Sequence, residues 1–454
     1  MADYAALATT VSAPVLRPDD DGYAAACTGI NLAYVPTPDA VLRPESIDDV
    51  VAAVRFARDA GVPVRVIATG HGAHAAPTGG VLLNLAGFDG LRVDAEARTA
   101  TFGGGITWAP VIAAAAEHGL APVTGSSATV GAVGFLLGGG FGPLARTFGA
   151  GSDYLLSLHV VTGTGELVTA SADENPDLFW ALRGGKGGLG VVVEATVRLV
   201  ELTDLTGGAL FFDVADAAAV FDGWVAWGAS AGPEITTSFS VIRFPDLDMV
   251  PPPLRGRHLA SLKVGVAADP ATAEPLVAPL RALAPVVLDG VGVLPPAETA
   301  RISNDPTEPG PGWSRGFLLR SADPDLGRAL LDVVGAGTQA PFIAVELRQF
   351  GGAIARDVPS GSPVGGRENA YAAMVIGVPD PGLFGTVLPG AYAGLRDALA
   401  PWIAPTTTIN WLTETDDPAQ FRSAWSPGDF ARLAEVRRAY DPNGVFPYGP
   451  ELAG

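Results

Sequence analysis

Residues 125–142 read GSSATVGAVGFLLGGGFG and carry Gly125, Gly131, Gly134, Gly138, Gly139, Gly140 and Gly142. Such density costs backbone entropy on folding, and close packing against a bulky cofactor would explain it. The run is not a dinucleotide fingerprint, because no GxGxxG stands between a strand and a helix. It is not a Walker loop either, because no Gly-Lys-Ser/Thr follows. Upstream, ATGHGAHAAPTGG at 68–80 follows VPVRVIA, which reads as a strand over 62–68. Gly70 and Gly72 flank His71 there, and the backbone amides of such a turn can hold phosphate oxygens. A plain structural turn is the equal alternative. Downstream, DLFWALRGGKGGLG at 177–190 is either a helix packed by Leu178, Phe179 and Leu182 and closed by Gly184, or a glycine turn beside a ligand.

The chain has 454 residues, too many for one ordinary core, so two folding units are expected. Its formal charge of -20 disfavours nucleic acid and anionic membrane surfaces as partners, since both need clustered Lys and Arg. A single cysteine, Cys27, excludes an intrachain disulfide and a thiolate metal cluster, and no metal is expected. The first twenty residues lack a basic start with a long apolar run, and no membrane-length apolar stretch stands out. The expectation is a soluble cytoplasmic protein.

Around the glycine segments, strands and helices mix. Ser46 caps a helix over 46–60, ended by Gly61 and Pro63. VLLNLAG (81–87) and the stretch 96–102 read as strands, 109–117 as a helix, 157–170 as a hairpin around Gly-Thr-Gly, and 189–202 as strand-rich. Beyond residue 205, strands at 236–244, 259–268 and 341–349 alternate with helices at 269–281 and 324–335. Residues 300–315, rich in Pro and Gly, read as a loop over an opening, or else a linker. DFARLAEVRRAY (429–440) is helical and stops at Asp441-Pro442-Asn443-Gly444.

The order of the three glycine segments, with the tail RLAEVRRAYDPNGVF at 432–446, resembles the flavoproteins of the vanillyl-alcohol-oxidase superfamily, most closely the berberine-bridge-enzyme-like branch. The resemblance implies an α+β fold: a PCMH-type two-part FAD-binding domain with an inserted substrate domain of antiparallel sheet backed by helices. The implied boundaries are 1–204 for the main FAD-binding part, 205–403 for the substrate domain and 404–454 for the C-terminal return. It implies FAD as cofactor, held by Thr69, Gly70, His71, Gly72 and His74, and by Gly125, Ser126, Ser127, Thr129, Val130, Gly131 and Gly134. Gly138, Gly139, Gly140, Gly142, Asp153, Gly190 and Val191 complete the implied set. His71 matches the histidine that bonds the flavin 8α-methyl carbon. Ser127 stands where many relatives have a second, cysteinyl attachment, so one covalent link is expected, through His71 only. Lys186 and Gly188 depart from the family's Arg-Gly-Gly-Gly-Gly-Asn form.

The implied chemistry is hydride removal from carbon to flavin N5, with a side chain taking any hydroxyl proton. Alternation puts Glu346 and Arg348 on one strand face, either toward a polar cavity or as a surface ion pair. Relatives carry Tyr-x-Asn-Tyr near the tail. Here Thr408, Asn410 and Trp411 occupy that stretch, and Trp411 either stacks a flat substrate or packs in the core. Tyr371 is a further proton acceptor to consider. The expected substrate is a small secondary metabolite, with an alcohol or sugar as the alternative and a noncatalytic flavin- or small-molecule-binding protein as a different class. Molecular oxygen is one acceptor to test, and the oligomeric state stays open.

Overall fold

A computed structural model describes residues 2–412 and 417–449. Helix Ile47–Ala60 starts where the Ser46 side chain accepts from the Asp49 amide, and ends at Gly61 in the left-handed region. It lays Val50, Ala53, Val54 and Ala57 on a sheet of four strands. Their order is Val15–Leu16, Ala40–Leu42, Val81–Asn84 and Val64–Ile67, and the last three run parallel. Buried Cys27 packs behind this sheet with Val41 and Leu82.

A second, antiparallel sheet runs Leu91–Asp94, Thr99–Gly103, Val191–Arg198, Leu155–Val161 and Leu167–Ser171. The hairpin around Gly-Thr-Gly is its outer edge. Leu91–Asp94 has no sequence signal of its own, since four residues between Gly90 and an Ala-rich turn are too short to show alternation. Trp108, Leu136, Leu178, Phe179 and Val197 fill the core beside it.

The inserted substrate domain is one antiparallel sheet in the order Val286–Asp289, Leu205–Asp213, His258–Val266, Ile235–Arg243, Phe342–Gln349, Tyr371–Gly377 and Ser314–Leu319. Gly292–Leu294 also pairs with Leu205–Asp213. Helices Ala217–Gly228, Pro270–Arg281, Pro324–Val334 and Val387–Leu399 back one face, burying Phe212, Trp224, Phe239, Leu262, Leu347 and Leu395. Period-2 alternation therefore turns Ser238, Lys263, Glu346 and Arg348 to the opposite face, toward the FAD-binding part.

The chain then returns. Helix Pro427–Tyr440 and the shorter Pro418–Arg422 belong to a segment that inserts Phe421, Trp425, Leu433 and Val436 into the same core as Trp108 and Leu136. The Val445 carbonyl accepts a hydrogen bond from the Val64 amide at 2.8 Å, tying the tail to the parallel sheet. The 300–315 segment is not loop throughout: Pro296–Ile302 is helical and Ser314 opens a strand. Between them the chain crosses to the FAD-binding part, where Gly310 exchanges backbone hydrogen bonds with Ile30 and Leu32. The Asn31 side chain bridges Gly312 and the Ala73 carbonyl.

Candidate flavin and substrate site

Two of the glycine-rich segments meet at Thr69–Ala73 and Gly125–Gly131. The Thr69 hydroxyl accepts from the Gly131 amide at 3.3 Å, and the Thr69 carbonyl accepts from Ile30 at 2.8 Å. The His71 Nε2 lies 2.8 Å from Thr129 Oγ1, which lies 2.9 Å from Ser127 Oγ. His71 and Ser127, the two attachment positions the resemblance implies, are thus joined through one threonine hydroxyl. Burial pushes the His71 pKa below its ordinary value, against a partial upward pull from the Asp305 carboxylate. Burial thus favours the neutral imidazole. Asp305 comes from the inserted domain and accepts from Ser126 Oγ at 2.6 Å. His74 is turned to its own loop, 3.0 Å from the Gly72 carbonyl.

These residues fit FAD. The amides of Gly70, His71 and Gly72, and those of Gly125, Ser126 and Ser127, donate to no acceptor among the described residues. Consecutive free amides in a glycine turn are what a diphosphate or a flavin carbonyl requires. Gly72 has open space where a Cβ would stand. The Gly138–Gly142 run differs from its sequence reading in one respect. A Cβ on Gly138 would strike the Asn410 side chain, and one on Gly142 the Thr124 carbonyl. The chain's own close packing demands these glycines, so their density does not by itself signal a ligand.

Asp153 does not lie along this cradle's hydrogen-bond chain. It forms a two-pronged ion pair with Arg367 of the inserted domain, at 2.5 and 3.1 Å. Gly190 and Val191 stand at the start of the central strand of the second sheet, where Val191 pairs with Val161. Val130 packs beside the core around Trp108.

Between the inserted sheet and Phe141–Ala145 of the FAD-binding part lies a chamber. Phe141, Phe350, Ile302 and Ile354 form apolar walls, and Ser238, Lys263, Glu346 and Arg348 form a polar floor. Glu346 and Arg348 line the chamber and pair with each other at 3.0 Å, as a largely buried pair and not at the sheet surface. Glu346 also takes Lys263 Nζ at 3.2 Å and Ser238 Oγ at 2.7 Å. Burial alone would raise the Glu346 pKa, but Arg348, Lys263 and Ser238 outweigh it and hold the carboxyl well below the usual carboxylate range. Lys263 escapes the sequence reading. Its strand is legible, and counting alternate residues along HLASLKVGV against the Ser238 strand places it on the polar face.

Trp411 does not line the chamber; it packs against the wall residues Phe141 and Phe350, and the Arg348 guanidinium sits 5.5 Å from its ring. Asn410 accepts from Lys186 Nζ at 2.7 Å and donates to the Phe135 carbonyl at 3.0 Å. Tyr371 lies on the helix-backed face, 5.4 Å from the Trp224 ring. Burial raises its pKa despite Arg146. It has no side toward the chamber.

Residues 38–171 match the family model described as an FAD binding domain. The chain is 36% identical over 204 residues to the (R)-6-hydroxynicotine oxidase of Paenarthrobacter nicotinovorans, covering 44% of this chain and 44% of that protein. The chain thus spans less than half the length of this curated relative. Across nearly the whole chain the fold is that of two solved structures. One is 6-hydroxy-D-nicotine oxidase from Arthrobacter nicotinovorans, with TM-score 0.84, 24% identity and 97% of each chain covered. The other is a carbohydrate oxidase from Microdochium nivale, with TM-score 0.85, 16% identity, and 99% of this chain and 98% of that chain covered. With a glycine cradle whose free amides fit FAD and a sheet-and-helix domain inserted over it, the chain carries an FAD binding domain over residues 38–171 and resembles the berberine-bridge-enzyme-like, PCMH-type FAD-binding proteins.

Proposed function

We propose that the protein is an FAD-dependent oxidoreductase that takes a hydride from a carbon of a small polar substrate bound at the chamber between the inserted sheet and Phe141–Ala145. Bound FAD would supply the two-electron acceptor. The observation that carries this reading is the buried polar cluster on the sheet face turned to the FAD-binding part: Glu346, ionised and clamped by Lys263 and Arg348. Glu346 accepts a hydrogen bond from a substrate hydroxyl or amine and so aims the adjoining carbon. Its low proton affinity makes it an orienting group and a poor general base. Phe141 and Phe350 exclude water from the reacting side.

A hydroxylated substrate, an alcohol or sugar, has more support than the secondary metabolite expected from sequence. A carbohydrate oxidase shares the fold over nearly the whole chain, and the floor is an array suited to hydroxyls. The nicotine oxidases that the chain also resembles keep a heterocyclic amine as the second reading.

His71 is the proposed single covalent anchor. Its Nε2 is engaged by Thr129, which leaves Nδ1 for the flavin. Ser127 lacks a thiolate for a second link.

The test is anaerobic mixing of the purified yellow protein with a panel of oligosaccharides, simple alcohols, phenols and heterocyclic amines, read as bleaching of flavin absorbance. Oxygen uptake then shows whether air reoxidises it. Bleaching by hydroxylated compounds is expected. A colourless protein, or flavin that no member of the panel reduces, would sink the proposal.

A further inference from the structure

Lys186 is out of character with its surroundings. It interrupts the glycine turn Gly184–Gly188 and stands at φ 66°, a conformation that glycine takes freely and a lysine takes at a cost. Its side chain turns inward. The Nζ donates to the Gly134 carbonyl at 2.6 Å and to Asn410 Oδ1 at 2.7 Å. Both acceptors are neutral, and no carboxylate pairs with Lys186 among the described residues. A cation packed around by protein without a counter-charge is expensive. Burial accordingly brings its pKa down to about 8.

Two costs at one residue call for something that offsets them. A lysine closing the C-terminal end of the short helix Ala132–Leu136 would account for the Gly134 contact. It would not account for the grip on Asn410. Asn410 is the neighbour of Trp411, which packs behind the chamber residues Phe141 and Phe350, and its side chain covers Gly138 of the glycine run. The side left open is also informative. Lys186 keeps partial access to solvent, Gly134 is exposed, and a Cβ on Gly134 would meet nothing within 4 Å. An ammonium with three donors and two protein acceptors therefore stands beside Gly134 and, through Asn410, next to Gly138.

We propose that Lys186 directs its remaining N–H to the pyrimidine edge of the bound isoalloxazine, where negative charge gathers when the flavin accepts electrons. In this role Lys186 is the counter-charge for reduced flavin and Asn410 is its positioning residue. A cation there favours the reduced cofactor, because charge near the ring tunes its electronics. The inference rests on the FAD reading above and adds to it a residue that the family's glycine form of this turn does not supply.

The experiment uses flavin-loaded wild type, K186M, K186Q and K186R, each matched for flavin content and checked for fold by far-ultraviolet circular dichroism. Sulfite affinity and the flavin midpoint potential are measured. K186M and K186Q are expected to bind sulfite at least about tenfold more weakly. Their midpoint potential should fall by about 30 mV or more, the two-electron equivalent of tenfold. K186R should recover most of both. Unchanged sulfite affinity and potential in flavin-loaded K186M or K186Q would overturn the proposal. So would loss of FAD affinity with an unchanged potential, which would move the contact to the diphosphate. A wild type without flavin would instead end the FAD reading itself, so the two failures are distinguishable.

Discussion

At the scale of single residues, the polar floor of the chamber is where charge decides behaviour. Glu346 is buried with two cations and a serine hydroxyl around it. Removing its charge leaves Lys263 and Arg348 facing each other without compensation. Glu346→Gln should lower unfolding free energy by about 3–5 kcal/mol, the usual cost of breaking a buried pair, measured by urea denaturation at pH 7. The sign with pH follows from the direction of the shift. The folded pKa is depressed below the unfolded value of 4.5, so this contribution is present above about pH 4.5 and is lost as pH falls through the folded pKa. The gap between wild type and the variant should therefore narrow only in strong acid. His71 offers a second, cleaner readout. After acid precipitation the wild type should keep its flavin and His71→Ala should release it, while both remain yellow when native. Flavin lost from both would exclude the covalent link and leave the FAD site standing.

Elements set which residues can meet. The strand Phe342–Gln349 alternates Val345 and Leu347 into the helix-backed core with Glu346 and Arg348 into the chamber. That much is legible from a period of two. The adjacent strand, Tyr371–Gly377, shows what is not. Whether Tyr371 or Ala372 faces the chamber depends on register, and pairing of Tyr371 with Gln349 puts the tyrosine against Trp224. The crossing segment between Ile302 and Ser314 depends on one side chain, Asn31, for bridges to Gly312 and Ala73. Loss of those bridges costs about 1–3 kcal/mol of local stability. Asn31→Ala should therefore speed amide exchange across residues 303–312 by about tenfold and leave exchange in the helix Ile47–Ala60 unchanged. Equal protection in both proteins would mean that the backbone bonds of Gly310 and the Ser126–Asp305 bond hold this segment without Asn31.

For the whole molecule, the link between the FAD-binding part and the inserted domain includes one buried ion pair. Arg367 and Asp153, 214 positions apart, meet at 2.5 Å with side chains 8% and 13% exposed. Arg367→Ala would strand the Asp153 carboxylate and should cost about 3–5 kcal/mol. Because the two residues share one interaction, the double variant with Asp153→Ala should lose clearly less than the sum of the singles. Additive losses in urea denaturation would show that the pair does not couple the two parts. No helix among the described residues is long and apolar enough to cross a membrane.

What the residues alone determined is local. Ser46 and Gly61 bound a helix because a cap needs a side-chain oxygen and a stop needs a left-handed residue. The order of the glycine segments carried the family resemblance, and that resemblance implied FAD and an anchor at His71. Tertiary structure decided everything that needs distant segments to touch. Asn410 reaches Lys186 across 224 positions, Ser126 reaches Asp305 across 179, and Lys263 joins Glu346 from another strand. Even the glycine run at 138–142 changed meaning, because Asn410 and Thr124 lie against it. The physical reason is the same in each case. Capping and alternation act over a few residues and are written in composition, whereas burial, counter-charge and register belong to pairs that only the folded chain brings together.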